Sequence, residues 1–386
     1  MTEFTNLGVP RPLIDALARR GITRPFPIQS LALPDALAGR DVTGKARTGS
    51  GKTLAFGLPT LARVDRAAPR HPRALVLAPS RELALQIADE LTPLAGAVGR
   101  SVTAIYGGVP LDQQSARLAA GTDVVVATPG RLIDLVQRGD AHLDAVAITT
   151  VDEADRMADM GFLPQVEWLL RHVPTGGQTM LFSATLDGAV ATLARRMVDP
   201  AVHSVEHADA TVDSMTHRFI KVHHMDKPRV IATLGATSGR TLVFCRTKRN
   251  CDRLTRDLAA LGVGASAIHG DLPQSQRQHA LGRFAAGHRP LLVATDVAAR
   301  GIHVDDIDIV VHSDPPEDHK AYLHRSGRTA RAGATGLAVS LIEWDQELHV
   351  RRLQRRLGLT HIPQVEMFSN DPRLHDLAAW NPAEVA

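Results

Sequence analysis

The sequence predicts an α/β fold made of two doubly wound, parallel-sheet domains in tandem. Three observations lead to this prediction. Short apolar runs rich in β-branched residues recur along the chain, amphipathic segments with helical spacing separate them, and one polar stretch without a sustained period divides the series in two. A chain of 386 residues is also long enough for two compact domains.

The first series of apolar runs lies in the amino-terminal half of the chain. Residues 73–79, 123–129, 145–155 and 179–185 predict buried parallel strands. Residues 81–96 carry apolar side chains at helical spacing and predict a helix after the first of these strands. The alternation predicts repeated βαβ units, in which each helix covers one face of the sheet.

The second series follows a polar stretch at 199–217, which predicts the linker between the domains. Its predicted strands are residues 240–247, 265–270, 290–296, 307–314 and 336–342. Because such sheets bind their ligands at the carboxyl ends of the strands, the residues that follow each strand are the candidate functional residues.

Composition excludes several other classes of protein. Hydrophobic residues make up 44% and charged residues 22%, which predicts globular domains rather than disorder. The net charge of +3 is too small to indicate a nucleic-acid partner by itself. Two cysteines, Cys245 and Cys251, exclude a disulfide framework and a structural zinc site, so we expect a reducing cytoplasm. No export signal or apolar run of about 18 residues is present, so we expect no membrane span.

A phosphate-binding loop is predicted directly before a helix. The glycines let main-chain N–H groups point at phosphate, the helix adds its positive amino-terminal end, Lys52 reaches the terminal phosphates, and Thr53 is a magnesium ligand. A glycine-rich turn is the alternative, and the complete GSGKT sequence disfavours it. The residues of this predicted loop are Ala46, Arg47, Thr48, Gly49, Ser50, Gly51, Lys52 and Thr53.

Two adjacent carboxylates end the predicted strand in 145–155. Asp152 is placed to hold Mg²⁺, largely through water, and Glu153 to orient and deprotonate the water that attacks the nucleotide. A solvated acidic turn is the alternative for an isolated Asp-Glu pair. Together with a phosphate loop, the pair predicts a nucleotide-hydrolysing site.

With GSGKT and the Asp-Glu-Ala-Asp tetrad, the chain resembles the DEAD-box RNA helicase family from Phe4 to about residue 345. The resemblance implies two RecA-like domains joined by a short linker. It divides the chain into a Gln-motif segment (1–30), an ATP-binding domain (31–208), a carboxy-terminal helicase domain (209–365) and a short acidic tail (366–386).

The Gln motif of the family appears at residues 21–29. The resemblance implies that Gln29 reads adenine through its amide, that Phe4 packs on the base, and that Arg24 belongs to the ATP site. ATP is then preferred over GTP. ATP and Mg²⁺ are the implied cofactors.

Short segments of both domains match the RNA-binding motifs of the family, with Ser80 where the family usually has Thr. As isolated tripeptides they would be loops and helix caps. Their side chains and amides suit phosphate and sugar, which carry no base information. The implied RNA-binding residues are Arg81, Gly108, Thr128 and Arg131 in the first domain and Arg246, Gln274, Arg277 and Thr295 in the second.

The remaining implied residues take part in coupling, nucleotide contact and catalysis. Ser183, Thr185 and His324 resemble residues that couple hydrolysis to strand separation, and Asp296 would face the nucleotide. Arg328 and Arg331 resemble arginine fingers that stabilise transition-state charge on the γ-phosphate when the domains close.

One departure from the family concerns His303, which stands where Asp usually lies near the ribose. This ribose contact is therefore not predicted here. The hypothesis in its place is that His303 hydrogen-bonds a hydroxyl and makes nucleotide affinity depend on pH, because histidine titrates at about pH 6.5.

The resemblance implies an ATP-dependent RNA helicase that binds single-stranded RNA across both domains without base preference and unwinds short duplexes locally. We expect a monomer, because the sequence shows no heptad repeat. Two alternatives stay open from the sequence. One is an ATP-gated RNA clamp or annealing platform with little unwinding. The other is a DNA helicase built on the same tandem fold.

Overall fold

The computed structural model describes residues 3–46, 50–186, 188–195, 197–205, 215–288, 290–299, 307–329 and 336–381. The chain divides into two compact units, Met1–Glu206 and His207–Ala386. We call them unit 1 and unit 2 and describe each by itself.

Unit 1 alternates strands and helices after a 3₁₀ helix at Phe4–Leu7. Its strands are β1 (Val42–Lys45), β2 (Ala74–Leu77), β3 (Val102–Ile105), β4 (Val124–Ala127), β5 (Ile148–Asp152), β6 (Gln178–Ser183) and β7 (Ala201–Ser204). Its helices are α1 (Arg11–Arg19), α2 (Pro27–Leu37), α3 (Lys52–Arg63), α4 (Arg81–Ala97), α5 (Leu111–Ala119), α6 (Pro129–Gln137), α7 (Ala154–Asp159), α8 (Leu163–His172) and α9 (Gly188–Ala194).

Among the described residues of unit 1, the strands form one sheet in the order β3-β4-β2-β5-β6-β1-β7, with neighbouring strands parallel. The central strands β2 and β4 are buried along their whole length. Each face of the sheet carries its own hydrophobic cluster, one with α1 to α4 and one with α6 to α9. Burial on both faces explains why these strands are continuous Val, Leu and Ala runs rather than alternating patterns.

Unit 2 repeats this architecture. Its strands are β8 (Met215–Lys221), β9 (Thr241–Cys245), β10 (Ala265–Ile268), β11 (Leu291–Thr295), β12 (Ile309–His312), β13 (Gly336–Ile342) and β14 (Gln364–Glu366). Its helices are α10 (Lys227–Ala236), α11 (Lys248–Ala260), α12 (Gln274–Ala285), α13 (Asp296–Ala299), α14 (His319–Ser326) and α15 (Glu347–Leu357), with 3₁₀ helices at Trp344–Gln346 and Pro372–Asp376. In the part of unit 2 that is described, the parallel sheet has the order β10-β11-β9-β12-β13-β8-β14.

Every apolar run that predicted a strand forms one, and the fold class is confirmed. The prediction of a linker over 199–217 is wrong at both ends, because β7 lies inside it and β8 begins at Met215. β7 is an edge strand that pairs only with β1 among the described strands, and its side chains are mostly outside the core. A strand with so little buried surface has no strong hydrophobic period to reveal it.

The described part of the segment 366–386 is not a separate tail. Met367, Leu374 and Leu377 belong to the core of unit 2, and Trp380 packs against it. Strand β14 extends the sheet by pairing with β8. Glu366 and Asp376 are exposed on this packed segment, and Asp371 pairs with Arg373. Across the described residues, no helix combines the length and hydrophobicity of a membrane span.

Candidate functional site

The predicted phosphate loop connects β1 to α3 in unit 1. The Ala46 N–H donates to the Ser183 carbonyl oxygen at 3.0 Å, which aligns the start of the loop with β6. Gly51 precedes α3 with a φ of +83°, a conformation that favours glycine. A Cβ atom there would lie 2.5 Å from Gln29 Nε2 and 2.7 Å from the Phe26 ring. Arg47, Thr48 and Gly49 lie outside the described residues.

Gln29 lies in the first turn of α2 and is fully buried. Its Oε1 accepts from the Phe26 N–H at 2.9 Å, and its Nε2 donates to the Gly51 carbonyl oxygen at 2.8 Å. The Gln motif and the phosphate loop are therefore joined by one amide. Phe26 lies beside this amide with 49% of its surface exposed.

Lys52 begins α3, and Asp152 ends β5. The Lys52 Nζ atom lies 3.9 Å from Asp152 Oδ1, with both side chains almost fully buried. Burial raises the pKa of Asp152 to about 6, and the Lys52 charge opposes this only partly. The negative charge of the buried Asp152 carboxylate is thus only partly compensated by the positive charge of Lys52.

Glu153 lies between β5 and α7 with a φ of +51°, in the left-handed region that is uncommon for residues other than glycine. Its N–H donates to Asp152 Oδ1 at 2.9 Å, and its Oε2 accepts from Arg156 Nη1 at 2.8 Å. The Asp155 N–H donates to Ser183 Oγ at 3.1 Å, which is the type of contact predicted for a coupling serine. Hydrogen bonds therefore connect the tetrad to Ser183 of β6 and to Arg156 of α7.

Thr53 and Asp152 fit a magnesium ion. Mg²⁺ prefers hard oxygen ligands and keeps several waters, so one carboxylate and one hydroxyl beside phosphate oxygens suffice. The chemistry of the donors supports a cation here, because the buried Asp152 carboxylate and the Thr53 hydroxyl are hard oxygen ligands beside the phosphate loop. Thr53 hydrogen-bonds Glu90 of α4, whose pKa burial raises.

Three of the predicted RNA-binding residues of unit 1 lie together around residues 107–109. The guanidinium of Arg81 packs on this loop, since a Cβ atom on Gly108 would lie 2.2 Å from Arg81 Nη1. Arg131 Nη1 donates to the Val109 carbonyl oxygen at 2.9 Å. Thr128 precedes α6 and is half-buried. The two arginines therefore flank a loop with a φ of +89° at Gly108.

The corresponding residues of unit 2 lie at the ends of strands or in the first turn of a helix. Arg246 follows β9 and is exposed, whereas Thr295 ends β11 and is 8% exposed. Gln274 begins α12, and its Oε1 accepts from Arg277 Nη1 at 3.4 Å. β9 and β11 are neighbours in the sheet, so Arg246 and Thr295 share its carboxyl edge.

Arg325 lies near the end of α14, in the arginine-rich part of unit 2. Its guanidinium donates to both carboxylate oxygens of Asp296 at 2.6 Å. It also lies 5.3 Å from the centre of the Phe244 ring. Both carboxylate oxygens of Asp296 thus accept hydrogen bonds from Arg325 within unit 2. A contact of Asp296 with the nucleotide, as predicted, would be made in addition to this ion pair. Arg328 is 4% exposed, whereas His324 is exposed. Arg331 and His303 lie outside the described residues.

Comparisons with known proteins match both units. Residues 26–193 match the family model described as DEAD/DEAH box helicase, and residues 226–333 match the helicase conserved C-terminal domain. ATP-dependent RNA helicase RhlB of Sodalis glossinidius (strain morsitans) is 37% identical over 388 residues, which cover 98% of this chain and 93% of that protein. The chain belongs to the DEAD-box family of ATP-dependent RNA helicases.

Two other DEAD-box proteins are similar to this chain over almost its whole length. DEAD-box ATP-dependent RNA helicase 53 of Oryza sativa subsp. japonica is 37% identical over the whole of this chain, which spans 65% of the length of that relative. The structure of S. cerevisiae Dbp5 bound to RNA and ADP BeF3 has a TM-score of 0.84 at 28% identity and covers 98% of each chain. The tandem RecA-like fold is thereby confirmed.

The structure brings most of the predicted DEAD-box residues of unit 1 together, with one difference from the prediction. Phe4 is 2% exposed and packs in the hydrophobic core, where the resemblance implied a contact with the base. Arg24 is exposed, and its place in the ATP site stays a prediction. Phe26, next to Gln29, is the exposed aromatic side chain beside the loop. Its position inside the Gln motif was the signal that could have identified it.

Arg156 and Arg325 were also missed. Arg156 directly follows the Asp-Glu-Ala-Asp tetrad, and Arg325 lies between His324 and Arg328; each forms an ion pair with a predicted site residue. Their positions beside predicted site residues in the sequence were the available signal.

Proposed function

We propose that this chain is an RNA-stimulated ATPase that unwinds short RNA duplexes, with Mg²⁺ as its metal cofactor. The convergence of Lys52, Asp152 and Glu153 at the carboxyl edge of the unit 1 sheet is the observation that supports hydrolysis of ATP. The Gln29 amide bound to Gly51 supports adenine recognition at the same edge. We further propose that the protein acts as a monomer in the cytoplasm.

Hydrolysis requires a base, positively charged groups beside the phosphates and an aligned water molecule. Glu153 accepts the proton of the water whose oxygen attacks the γ-phosphorus, and ADP leaves as the bond to its β-phosphate oxygen breaks. Lys52 neutralises charge on the terminal phosphates, and Arg328 and Arg331 stabilise the charge that develops on the γ-phosphate. Thr53 and Asp152 would hold Mg²⁺, which would supply positive charge to the phosphate oxygens.

RNA binding is proposed to use the phosphate and sugar of a single strand. Arg81, Gly108 and Arg131 form one group of donors in unit 1, joined there by Thr128. Arg246, Thr295, Gln274 and Arg277 provide the contacts in unit 2. Contacts of this kind read no bases, and discrimination against DNA then depends on the ribose 2′-hydroxyl.

Steady-state ATP hydrolysis tests this proposal. The purified chain is measured alone and with saturating single-stranded RNA or DNA of matched sequence, beside Glu153→Gln. We expect strong stimulation by RNA, weak stimulation by DNA and loss of both rates in the variant. Equal stimulation by DNA would indicate a DNA helicase. ATP-dependent retention of RNA with no unwinding of a short duplex would indicate a clamp.

A further inference from the structure

The residue directly after the Asp-Glu-Ala-Asp tetrad has a contact that the proposed mechanism does not use. Arg156 is the third residue of α7, and its Nη1 donates to Glu153 Oε2 at 2.8 Å. The two side chains are 7% and 4% exposed. The contact is therefore a buried ion pair one turn apart on the same segment.

Stability alone does not account for this pair. A buried ion pair loses hydration energy comparable to its electrostatic gain, and an apolar pair of similar volume often serves the fold as well. Glu153 also has a strained backbone, with its φ of +51°. Desolvation and strain therefore coincide at the residue proposed to activate water.

The surroundings fix Arg156 as firmly as they fix Glu153. Helix α7 is anchored by Ala154 and Met157, which are fully buried in the core of unit 1. The Arg156 N–H donates to Asp155 Oδ1, and the Asp155 N–H donates to Ser183 Oγ. The guanidinium thus extends from a helix that is held both by apolar packing and by strand β6.

The other charged groups around Glu153 are already engaged. Lys52 lies beside Asp152 at 3.9 Å, and Asp152 accepts the Glu153 N–H. Asp155 contributes a further negative charge near this pair. Arg156 is a cation in direct hydrogen-bond contact with the Glu153 carboxylate.

We infer that Arg156 is a positioning residue for the hydrolysis reaction: it holds the Glu153 carboxylate in one orientation, so that the oxygen acting on water is placed for in-line attack. Arg156 touches neither ATP nor the attacking water. This inference rests on the proposed function, because it assigns Glu153 as the base. A misplacement of about 1 Å in such a group costs about 100-fold in rate.

The same geometry links the coupling serine to the base. Ser183 holds Asp155, and Asp155 and Arg156 are consecutive residues of α7. A displacement of β6 at Ser183 would therefore move the helix that carries Arg156. The contacts therefore connect Ser183 through Asp155 and Arg156 to the Glu153 carboxylate, and loss of the Ser183 hydroxyl alone leaves α7 anchored by the buried Ala154 and Met157.

Substitutions of Arg156 test the inference by separating kcat from KM. Arg156→Met keeps the length of the side chain without its charge or donors, and Arg156→Lys keeps the charge without the planar fork. With saturating RNA we expect Arg156→Met to lower kcat about 10-fold to 100-fold with KM for ATP unchanged. Partial rescue by Arg156→Lys is expected. A matched control is Arg171→Met on α8, whose guanidinium is exposed and forms only a long contact with Glu167.

A double-mutant cycle separates positioning from a purely structural effect. Single-turnover hydrolysis is measured for Glu153→Gln, Arg156→Met and the double variant, with circular dichroism and thermal unfolding to verify that each folds. If Arg156 acts through Glu153, the double variant hydrolyses ATP at the rate of Glu153→Gln alone. A further drop by the full factor of Arg156→Met would overturn the inference in favour of a general structural role.

The remaining outcomes are also decisive. A folded Arg156→Met protein with wild-type or increased kcat would show that the pair does not position the base. If the wild-type chain shows no RNA-stimulated hydrolysis at all, the proposed function fails instead, and the two failures are thereby distinguished. If Arg156→Met does not fold, Arg156→Lys and the cycle built on it replace it, with the same non-additivity expected.

Discussion

The Gln29 side-chain amide donates to the Gly51 main-chain oxygen at 2.8 Å, so the amino-terminal turn of α2 is bound to the residue that precedes α3. The opposite end of the amide accepts from the Phe26 N–H. An amide has two donors and two acceptor positions, so each end keeps one for a second partner. We propose that one of these remaining positions binds adenine, for which the fully buried Gln29 side chain has to become accessible.

Gln29→Glu tests this dual role. A carboxylate has no donor for the Gly51 oxygen, and it would place negative charge against that oxygen. We expect KM for ATP to rise about 10-fold, equivalent to about 1.4 kcal/mol, with the preference for ATP over GTP reduced. Steady-state hydrolysis of both nucleotides measures this, with Ser30→Ala as the control on the same helix turn. An unchanged KM and preference would contradict both roles of Gln29.

Asp152→Asn is expected to stabilise the nucleotide-free protein near neutral pH while abolishing hydrolysis. The folded pKa of Asp152, about 6, lies above the ordinary value of 3.8. Folding therefore binds a proton between these values, and the ionised carboxylate costs stability as the pH rises through about 6. Asparagine carries no charge, so it avoids a cost of about 3 kcal/mol.

Thermal unfolding across pH measures this effect. The difference in Tm between Asp152→Asn and wild type should vanish near pH 4, grow as pH rises and level off above about pH 7. Mg²⁺ and ATP should reduce the difference, because they bind only the ionised wild-type site. A variant less stable than wild type at every pH would contradict the prediction.

Ser183→Ala is expected to separate hydrolysis from unwinding. The substitution removes the acceptor of the partly buried Asp155 N–H and costs about 1 kcal/mol of stability. We expect RNA-stimulated hydrolysis within about threefold of wild type, equivalent to about 0.7 kcal/mol, and a much larger loss of duplex unwinding. Parallel hydrolysis and strand-displacement assays at the same RNA concentration measure both.

A neighbouring hydroxyl provides the control for Ser183. Thr150 Oγ1 on β5 is buried and has no hydrogen-bond partner among the described residues. Thr150→Val keeps the shape of the side chain and should leave both activities unchanged, with stability equal to wild type or slightly higher. Equal losses of hydrolysis and unwinding in Ser183→Ala would argue against a coupling role.

Arg218→Met tests the packing of the carboxy-terminal segment on unit 2. The guanidinium donates to the carbonyl oxygens of Leu377, Ala378 and Trp380, and burial lowers its pKa. Loss of these charged hydrogen bonds should lower the free energy of unfolding by about 3 kcal/mol. Urea denaturation measures it, with exposed Arg229→Met as control. A change within about 0.5 kcal/mol would match a surface residue and contradict the assignment.

The strand predictions followed unbroken apolar runs, so β3, β7, β8 and β14 were not predicted, although β8 is an interior and largely buried strand. Strands such as β4 and β9 are buried on both faces, and each appears in the sequence as an unbroken apolar run. Strands β7 and β14 lie at sheet edges and are largely polar, so they left no comparable pattern. The segment around Trp380 resembled an acidic tail because its few apolar residues are far apart in sequence and meet only on unit 2.

The sequence by itself determined the two-domain α/β fold, the family, and the sheet edge at which Lys52, Asp152 and Glu153 meet. It could do so because strand ends and motif spacing are local properties of the chain. Only the tertiary structure decided that Arg156 pairs with Glu153 and that Arg325 pairs with Asp296. It also decided that Phe4 lies in the core rather than at the surface. The physical reason is that the pairing of a charge, or the burial of a ring, depends on distances and solvent access between elements, and these are set only when the sheets and helices pack.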